Sequence, residues 1–239
     1  MSKFRKLLRL LGSGLYRRGL RHGVAAAIEH EDAIRSLAIG SLIDLGANKG
    51  QFSLVVRRWW PDATVHAFEP LEEPAAMYRS LFAADHGITL HNLAVGSEPG
   101  QAAIHVSQRL DSSSLLPISA RQEEIFPGTR EVDQRMIEVV RGDDILADVD
   151  LPSPMLIKLD IQGFELTALQ GMPNLLQRAD HVYTEVSFLP LYEGQALAHE
   201  LTVFLTSAGF FFAGVHNVVS RSDGSAVQAD LLFSRQLRT

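Results

Sequence analysis

The chain has 239 residues, 46% of them apolar and 21% charged. That composition is ordinary for a globular protein, and the length suits one large domain or a domain with a short extension. There is no cysteine, which excludes disulfides, thiolate-ligated zinc, iron–sulfur clusters with the radical chemistry that depends on them, and a thiolate nucleophile.

The net charge of −6 hides an asymmetry. Seven of the 22 basic residues (Lys3, Arg5, Lys6, Arg9, Arg17, Arg18 and Arg21) fall within the first 23 positions, which hold no acid. The rest of the chain therefore sets 15 basic against 28 acidic residues. So acidic a body has no electrostatic footprint for nucleic acid, and no nucleic-acid partner is expected. The arm also carries Phe4, Leu7, Leu8, Leu11 and Leu15 at helical spacing. Charges interrupt the leucines, so it does not read as a secretory signal. Two readings stand open: a helix packed on its own domain, or a surface-seeking helix that touches anionic lipid or an acidic partner through residues 1–23. No run of ~18 apolar residues occurs, so no membrane span is predicted. The expectation is a cytoplasmic protein with peripheral membrane contact as an added property. The chain is divided into a basic helical extension, 1–38, and a ligand-binding domain, 39–239.

From Ser41 the pattern alternates. Ser41–Leu45 is a compact apolar strand, and Gln51–Trp60 a helix stopped by Pro61. Thr64–Phe68 is a strand, Pro74–Ala84 a helix and Ile88–Leu93 a third strand. Ala102–Val106 and Met136–Val140 alternate like half-buried strands, with a long polar loop, Arg109–Arg135, between them. A loop of that length suits a lid or binding loop. Met155–Ile161 is an apolar strand, Phe164–Leu169 starts a helix, His181–Val186 is a strand and His199–Ser207 a helix. Phe210–Val215 and Val227–Phe233 close the chain as two strands, with the aromatics Phe210–Phe212 placed in the core. Strands alternating with helices predict a doubly wound α/β fold: a mostly parallel seven-stranded, Rossmann-like sheet with an antiparallel edge hairpin and an inserted β-hairpin and loop.

Chemistry concentrates at three places. The first is Asp44-Leu45-Gly46-Ala47-Asn48-Lys49-Gly50, a strand ending in an acid that turns through glycines into a helix. Such turns at strand carboxyl ends bind ligands in open α/β sheets. A dinucleotide fingerprint requires a glycine where Asn48 stands. An acid at Asp44 instead suits a ligand with a positive amino-acid end and no pyrophosphate, and S-adenosylmethionine answers that description. The second is Glu69, in Phe68-Glu69-Pro70, where an acid after the second strand can accept both hydroxyls of a ribose. The third is Leu156-Ile157-Lys158-Leu159-Asp160-Ile161-Gln162-Gly163-Phe164-Glu165. Lys158 and Asp160 share a face by the period of two. They read either as a buried structural pair or as the groups that handle the reacting substrate. Glu165 suits a helix first turn in any case, and Glu185 could face the same crevice from the next strand. The nine histidines show no ligand spacing, so no metal is assigned.

Together these segments resemble the FkbM-type family of class I methyltransferases, over about residues 41–235. The resemblance rests on Asp44–Gly50, Phe68–Pro70, Ile157–Glu165 and Asp230-Leu231-Leu232-Phe233. Gln162 departs from the family's commoner acid, which speaks against a third carboxylate there. The resemblance implies O-methylation of a hydroxyl in a sugar, lipid or specialised metabolite, with S-adenosylhomocysteine as the spent cofactor. By analogy Asp44, Gly46, Ala47, Asn48 and Gly50 hold the methionine end, Glu69 the ribose, and Pro70, Asn92 and Ala94 the adenine. Asp160 is the expected proton acceptor, with Lys158 orienting it or binding the acceptor, and Glu185 a further catalytic candidate. The loop Arg109–Arg135 and the segment Leu189–Gln195 are expected to shape the acceptor pocket. Two rival classes are a non-catalytic scaffold that keeps this fold in a glycan or metabolite assembly, and a nucleotide-dependent oxidoreductase. Oligomeric state is not legible.

Overall fold

A computed structural model describes residues 3–235 of the chain. Residues 1, 2 and 236–239, and the side chains of Lys3, Phe4 and Arg5 in the expected arm, lie outside the described residues. In chain order the elements are α1 (Lys3–Gly12), α2 (Gly14–Arg21), α3 (Glu31–Ile34), β1 (Ser41–Leu45), α4 (Gln51–Trp59), β2 (Thr64–Phe68) and α5 (Glu72–Phe82). Then come β3 (Ile88–His91), β4 (Ala94–Val95), β5 (Gly100–Ser107), α6 (Ala120–Ile125), β6 (Glu131–Val140) and α7 (Gly142–Ile145). The last third holds β7 (Met155–Leu159), α8 (Glu165–Gln170), α9 (Pro173–Arg178), β8 (His181–Ser187), α10 (Ala198–Ser207), β9 (Phe211–Ser220) and β10 (Ala226–Ser234).

Seven strands form one sheet in the order β3-β2-β1-β7-β8-β10-β9. The four pairings up to β8 are parallel, and β10 runs antiparallel to both β8 and β9. The predicted fold class is therefore the observed one. β1 and β7 lie side by side at the centre and are buried along their whole length. This is why both read as unbroken apolar runs rather than as alternation. The chain reverses its winding between β1 and β7, and the crevice beyond their carboxyl ends is where such sheets hold ligands.

The inserted hairpin is present as a separate three-stranded sheet, β4-β6-β5. The expected loop is shorter than predicted. β6 begins at Glu131, and α6 fills the middle of the connection. Exposed polar residues at the start of β6 hid its pairing with β5, because only β6's last two residues are buried.

The aromatic run divides. Phe210 is buried, but Phe211 and Phe212 are exposed at 49% and 47%, because β9 is the outer strand and its flanks meet solvent.

The N-terminal arm packs onto the domain. Leu10 and Tyr16 are buried, and Arg9 and the Tyr16 hydroxyl both bond the carboxylate of Glu31. Ala26, Ile28, Ile34, Leu37 and Ile39 share one core with Leu42 and Val65 of the sheet, so no gap in packing marks a boundary at residue 38. Leu7, Leu8 and Leu11 nevertheless face outward. Among the described residues, no helix is long and apolar enough to cross a membrane.

Candidate active site

A cavity of about 400 Å³ opens at the carboxyl ends of β1, β2 and β7, within the usual range for small-molecule sites. The turn after β1 forms its floor. Gly46 has φ +73, and a side-chain carbon there would sit 1.9 Å from the backbone oxygen of Asp160. Only glycine lets the turn and the end of β7 approach so closely. Asn48 also takes a left-handed φ of 48, a conformation asparagine tolerates better than most residues. Gly50 serves packing instead: it caps α4 in the left-handed region, with Phe82 2.5 Å from where its Cβ would be, and it does not line the cavity.

Glu69 closes one end. Its Oε2 accepts from the Asn48 amide at 2.9 Å and its Oε1 from the Leu71 amide at 2.9 Å. Burial pushes its pKa up to about 7, against the pull of those two backbone donors. Each oxygen keeps a further lone pair, so the carboxylate can still receive two hydroxyls. Pro70 and Ala94 line the cavity beside it. Asn92 does not reach it. Its side-chain amide donates to the backbone oxygens of Glu69 (2.8 Å) and Pro70 (3.0 Å) and so fixes the peptide that carries Glu69.

Asp44 is fully buried beneath the turn and does not line the cavity. It accepts the Ser53 hydroxyl at 2.9 Å and faces the Lys158 ammonium at 3.2 Å. Lys158 in turn donates to the backbone oxygens of Gly46 (3.1 Å) and Leu45 (3.3 Å) and lies 4.0 Å from Asp160. Burial opposes its charge, but the carboxylates of Asp44 and Asp160 outweigh it and hold its pKa above the usual lysine value. Lys158 is thus a buried strut beneath the glycine turn as well as part of the cavity wall.

Asp160 reaches the cavity, its side chain 39% exposed. The next turn is held by Glu165, whose Oε1 accepts the amides of Ile161 (3.0 Å) and Gly163 (3.2 Å). Burial raises the pKa of Glu165 to about 7. The departure at Gln162 has a clear use. Its amide nitrogen donates to Asp160 (2.7 Å) and to Glu185 (3.2 Å), and its oxygen accepts the Tyr192 hydroxyl at 2.6 Å. Glu185, expected to face the crevice, does not line it. It accepts from Gln162 and Gln228, and burial, reinforced by the carboxylates of Asp160 and Asp230, raises its pKa well above the usual range. An acid in that state donates a proton more readily than it accepts one.

The loop after β5 does form a wall, through Leu110, Asp111, Ser113, Ser114 and Leu115. Ser114 anchors it by donating to the backbone oxygen of Gln162 at 2.7 Å. The segment 189–195 lies behind that wall: Tyr192 braces Gln162, and none of the segment lines the cavity. Residues that sequence reasoning passed over come from the extension. Ala25, Ala27, Glu29, His30 and Lys6 complete the cavity. No motif marks them; His30 is one of nine scattered histidines. Among the described residues, no group of three or more histidine or acidic side chains is placed to hold a metal ion.

With this geometry in view, residues 44–212 match the family described as the methyltransferase FkbM domain. The chain belongs to that family. Relatives include the 2-O-methyltransferase NoeI of Sinorhizobium fredii, 29% identical over 165 residues, covering 64% of this chain and 66% of NoeI. The hexuronic acid methyltransferase AglP of Haloferax volcanii is 28% identical, covering 61% of this chain and 55% of AglP. The 31-O-demethyl-FK506 methyltransferase FkbM of Streptomyces tacrolimicus is 28% identical over 233 residues, covering 84% of each. The chain thus spans less than two thirds of the length of NoeI and AglP and most of FkbM.

The cavity of this FkbM-family chain fits S-adenosylmethionine on its own chemistry. The Asn48 side-chain oxygen is buried with no hydrogen-bond partner, an acceptor suited to an ammonium group. Glu69 offers two carboxylate oxygens suited to a pair of hydroxyls, and Pro70 and Ala94 give the wall beside it an apolar surface suited to a flat ring.

Proposed function

We propose that this chain transfers a methyl group from S-adenosylmethionine to a hydroxyl of a sugar, glycan or specialised metabolite. The observation that carries the reading is the meeting of Glu69, Asn48 and Asp160 around one cavity floored by the Gly46 turn. The names of the relatives, which specify oxygen positions in two cases and a hexuronic acid in a third, support the acceptor class. An oxidoreductase is disfavoured by Asn48 at the position where a dinucleotide turn needs glycine.

When bound, the cofactor supplies a methyl on a sulfonium, a leaving group already activated. The protein's work is then mostly positioning. Asn48 and the Gly46 turn hold the methionine end, propped from below by Asp44 and Lys158. Glu69 holds the ribose, and Pro70 and Ala94, with Asn92 behind them, the adenine. Asp160 accepts a hydrogen bond from the acceptor hydroxyl and orients it toward the methyl. The exposed Leu7, Leu8 and Leu11, beside the exposed Arg17, Arg18 and Arg21, support contact between the arm and an anionic membrane surface. Flotation with phosphatidylglycerol vesicles should carry wild type and leave a Leu7, Leu8, Leu11→Ser variant behind.

Calorimetry with S-adenosylmethionine and S-adenosylhomocysteine tests the core of the reading. Micromolar binding to wild type that weakens at least ~10-fold in Glu69→Ala is expected, since a hydrogen bond to a charged group contributes about 1.5–3 kcal/mol. A folded wild type that binds neither ligand would overturn it and bring the scaffold reading forward. With a methylated acceptor in hand, Asp160→Asn should lower turnover while cofactor affinity holds.

A further inference from the structure

The extension places a second group at the acceptor end of the cavity. The His30 Nδ1 lies 3.2 Å from the Asp230 Oδ2 and 3.0 Å from the Tyr183 hydroxyl. The Tyr183 hydroxyl itself donates to the Asp230 Oδ2 at 3.0 Å, and the Asn217 amide donates to the same oxygen at 2.7 Å. Three side chains from separate segments thus converge on one carboxylate oxygen. Asp230 is a buried acid in β10, followed directly by Leu231, Leu232 and Phe233, a costly placement unless it is paired and used.

We infer that His30 is the proton acceptor for the methyl-receiving hydroxyl and that Asp230 is the residue that positions it. This rests on the methyltransferase reading above and refines the role given there to Asp160. The imidazole ring is held edge-on against Phe52 and Tyr183, each with centroids 5.6 Å away. Phe52 also sits under the Lys158 ammonium at 5.8 Å, so the ring is fixed beside the groups that floor the cavity. His30 lines that cavity with its side chain 19% exposed. Its Nδ1 faces the carboxylate together with the Tyr183 hydroxyl and, at 3.2 Å, the Asn217 amide nitrogen, and among the described residues no hydrogen bond occupies its Nε2. The Asp160 oxygens, by contrast, already face the Gln162 amide and the Lys158 ammonium.

An aspartate that accepts Nδ1–H selects the tautomer whose Nε2 lone pair is available, and it stabilises the imidazolium that forms. Burial pushes the Asp230 carboxyl upward, but the donors His30, Asn217 and Tyr183 outweigh it and hold it below the usual carboxylate range. It is therefore ionised and able to play that part. In the transfer, the hydroxyl oxygen bonds to the methyl carbon. The carbon–sulfur bond breaks with its electron pair going to sulfur, and the hydroxyl proton passes to Nε2. The charged or titratable groups around the ring are Asp230, Tyr183 and His216 from the sheet, Lys158 across Phe52, and Glu29 on its own turn.

Protein labelled with 15N-histidine tests the dyad without any acceptor. Neutral His30, assigned by the signal missing from His30→Gln, should be the Nδ1–H tautomer, and Asp230→Asn should abolish that preference. An Nε2–H tautomer in wild type overturns the proposal, because Nε2 could then take no proton. Methyl-tritiated S-adenosylmethionine with a mixture of nucleotide sugars and glycosides supplies the kinetic arm. His30→Gln should lower kcat by roughly 10²–10⁴ and remove the acid limb of its pH profile. Asp230→Asn should lower kcat less, and wild-type kcat in His30→Gln overturns the proposal. S-adenosylhomocysteine affinity within about threefold of wild type in both variants shows that each still folds its crevice. Failure of wild type to bind that ligand strikes the methyltransferase reading alone, and if no compound in the mixture is methylated the tautomer still decides the dyad.

Discussion

The two ends of the cavity are built in different ways. The proposed cofactor end comes from two short stretches, 44–50 and 68–70, that hold each other: the Asn48 amide bonds Glu69, and the amides of Gly46 and Ala47 bond the backbone oxygen of Phe68. The acceptor end is assembled from residues far apart in the chain. His30 meets Tyr183 and Asp230, and Gln162 meets Glu185, Tyr192 and Ser114. A local motif can keep one cofactor while distant contributors vary the pocket around it. This is how one fold comes to serve many acceptors.

That contrast can be broken from below. Lys158→Met removes the strut under the cofactor end and leaves the Asp44 carboxylate buried without its counter-ion. Breaking a buried pair on one side costs about 3–5 kcal/mol, a fall in Tm of roughly 6–20 °C for a chain of this size. Differential scanning calorimetry checks it. A Tm within 2 °C of wild type would show that Lys158 is no strut and that the turn supports itself.

A smaller effect sharpens the contrast through pH. Burial raises the Glu69 pKa to about 7 in the free protein, and the ribose hydroxyls of the proposed contact would stabilise its ionised form. The bound state therefore favours the carboxylate, and cofactor affinity should be flat above pH 7 and weaken as pH falls below it, by up to about tenfold per unit. Calorimetry at pH 8, 7 and 6 should show this in wild type, while Glu69→Gln gives a weak, level response. Equal slopes in the two proteins would assign the pH dependence to another group.

The smallest effect is expected at the acceptor end. Gln162→Leu deprives Asp160 and Glu185 of their shared donor and leaves the Tyr192 hydroxyl with the Ser112 backbone oxygen and the Gln122 amide. A few-fold to about tenfold loss of turnover should follow, with S-adenosylhomocysteine affinity unchanged, since a single hydrogen bond of this kind contributes about 0.5–1.5 kcal/mol. Steady-state kinetics beside calorimetry separates the two, and a parallel loss of cofactor affinity would mean the two ends are not independent.

Much of this was legible in the residues alone, and unevenly so. The central strands announced themselves because burial on both faces demands continuous apolar runs, and the sheet's winding followed from strands alternating with helices. The glycine turn and Glu69 were legible because backbone conformation and hydrogen-bond chemistry act over a few residues. Sequence reasoning faltered where position along the chain says little about position in space. Asp44 points under the turn to Lys158, Asn92 braces the peptide behind the cavity, and Glu185 holds Gln162. The strand period gives the face on which a side chain lies but not how far the neighbouring element covers it.

The amino-acid sequence by itself determined the architecture, the family resemblance and the glycine turn beside Glu69, since all three depend on local periodicity and short-range turn chemistry. Only the tertiary structure decided that the N-terminal extension is a wall of the cavity and that His30 meets Asp230 across 200 positions of sequence. Such pairings are chosen by the packing of the whole core, which brings residues together without leaving any mark in the spacing between them.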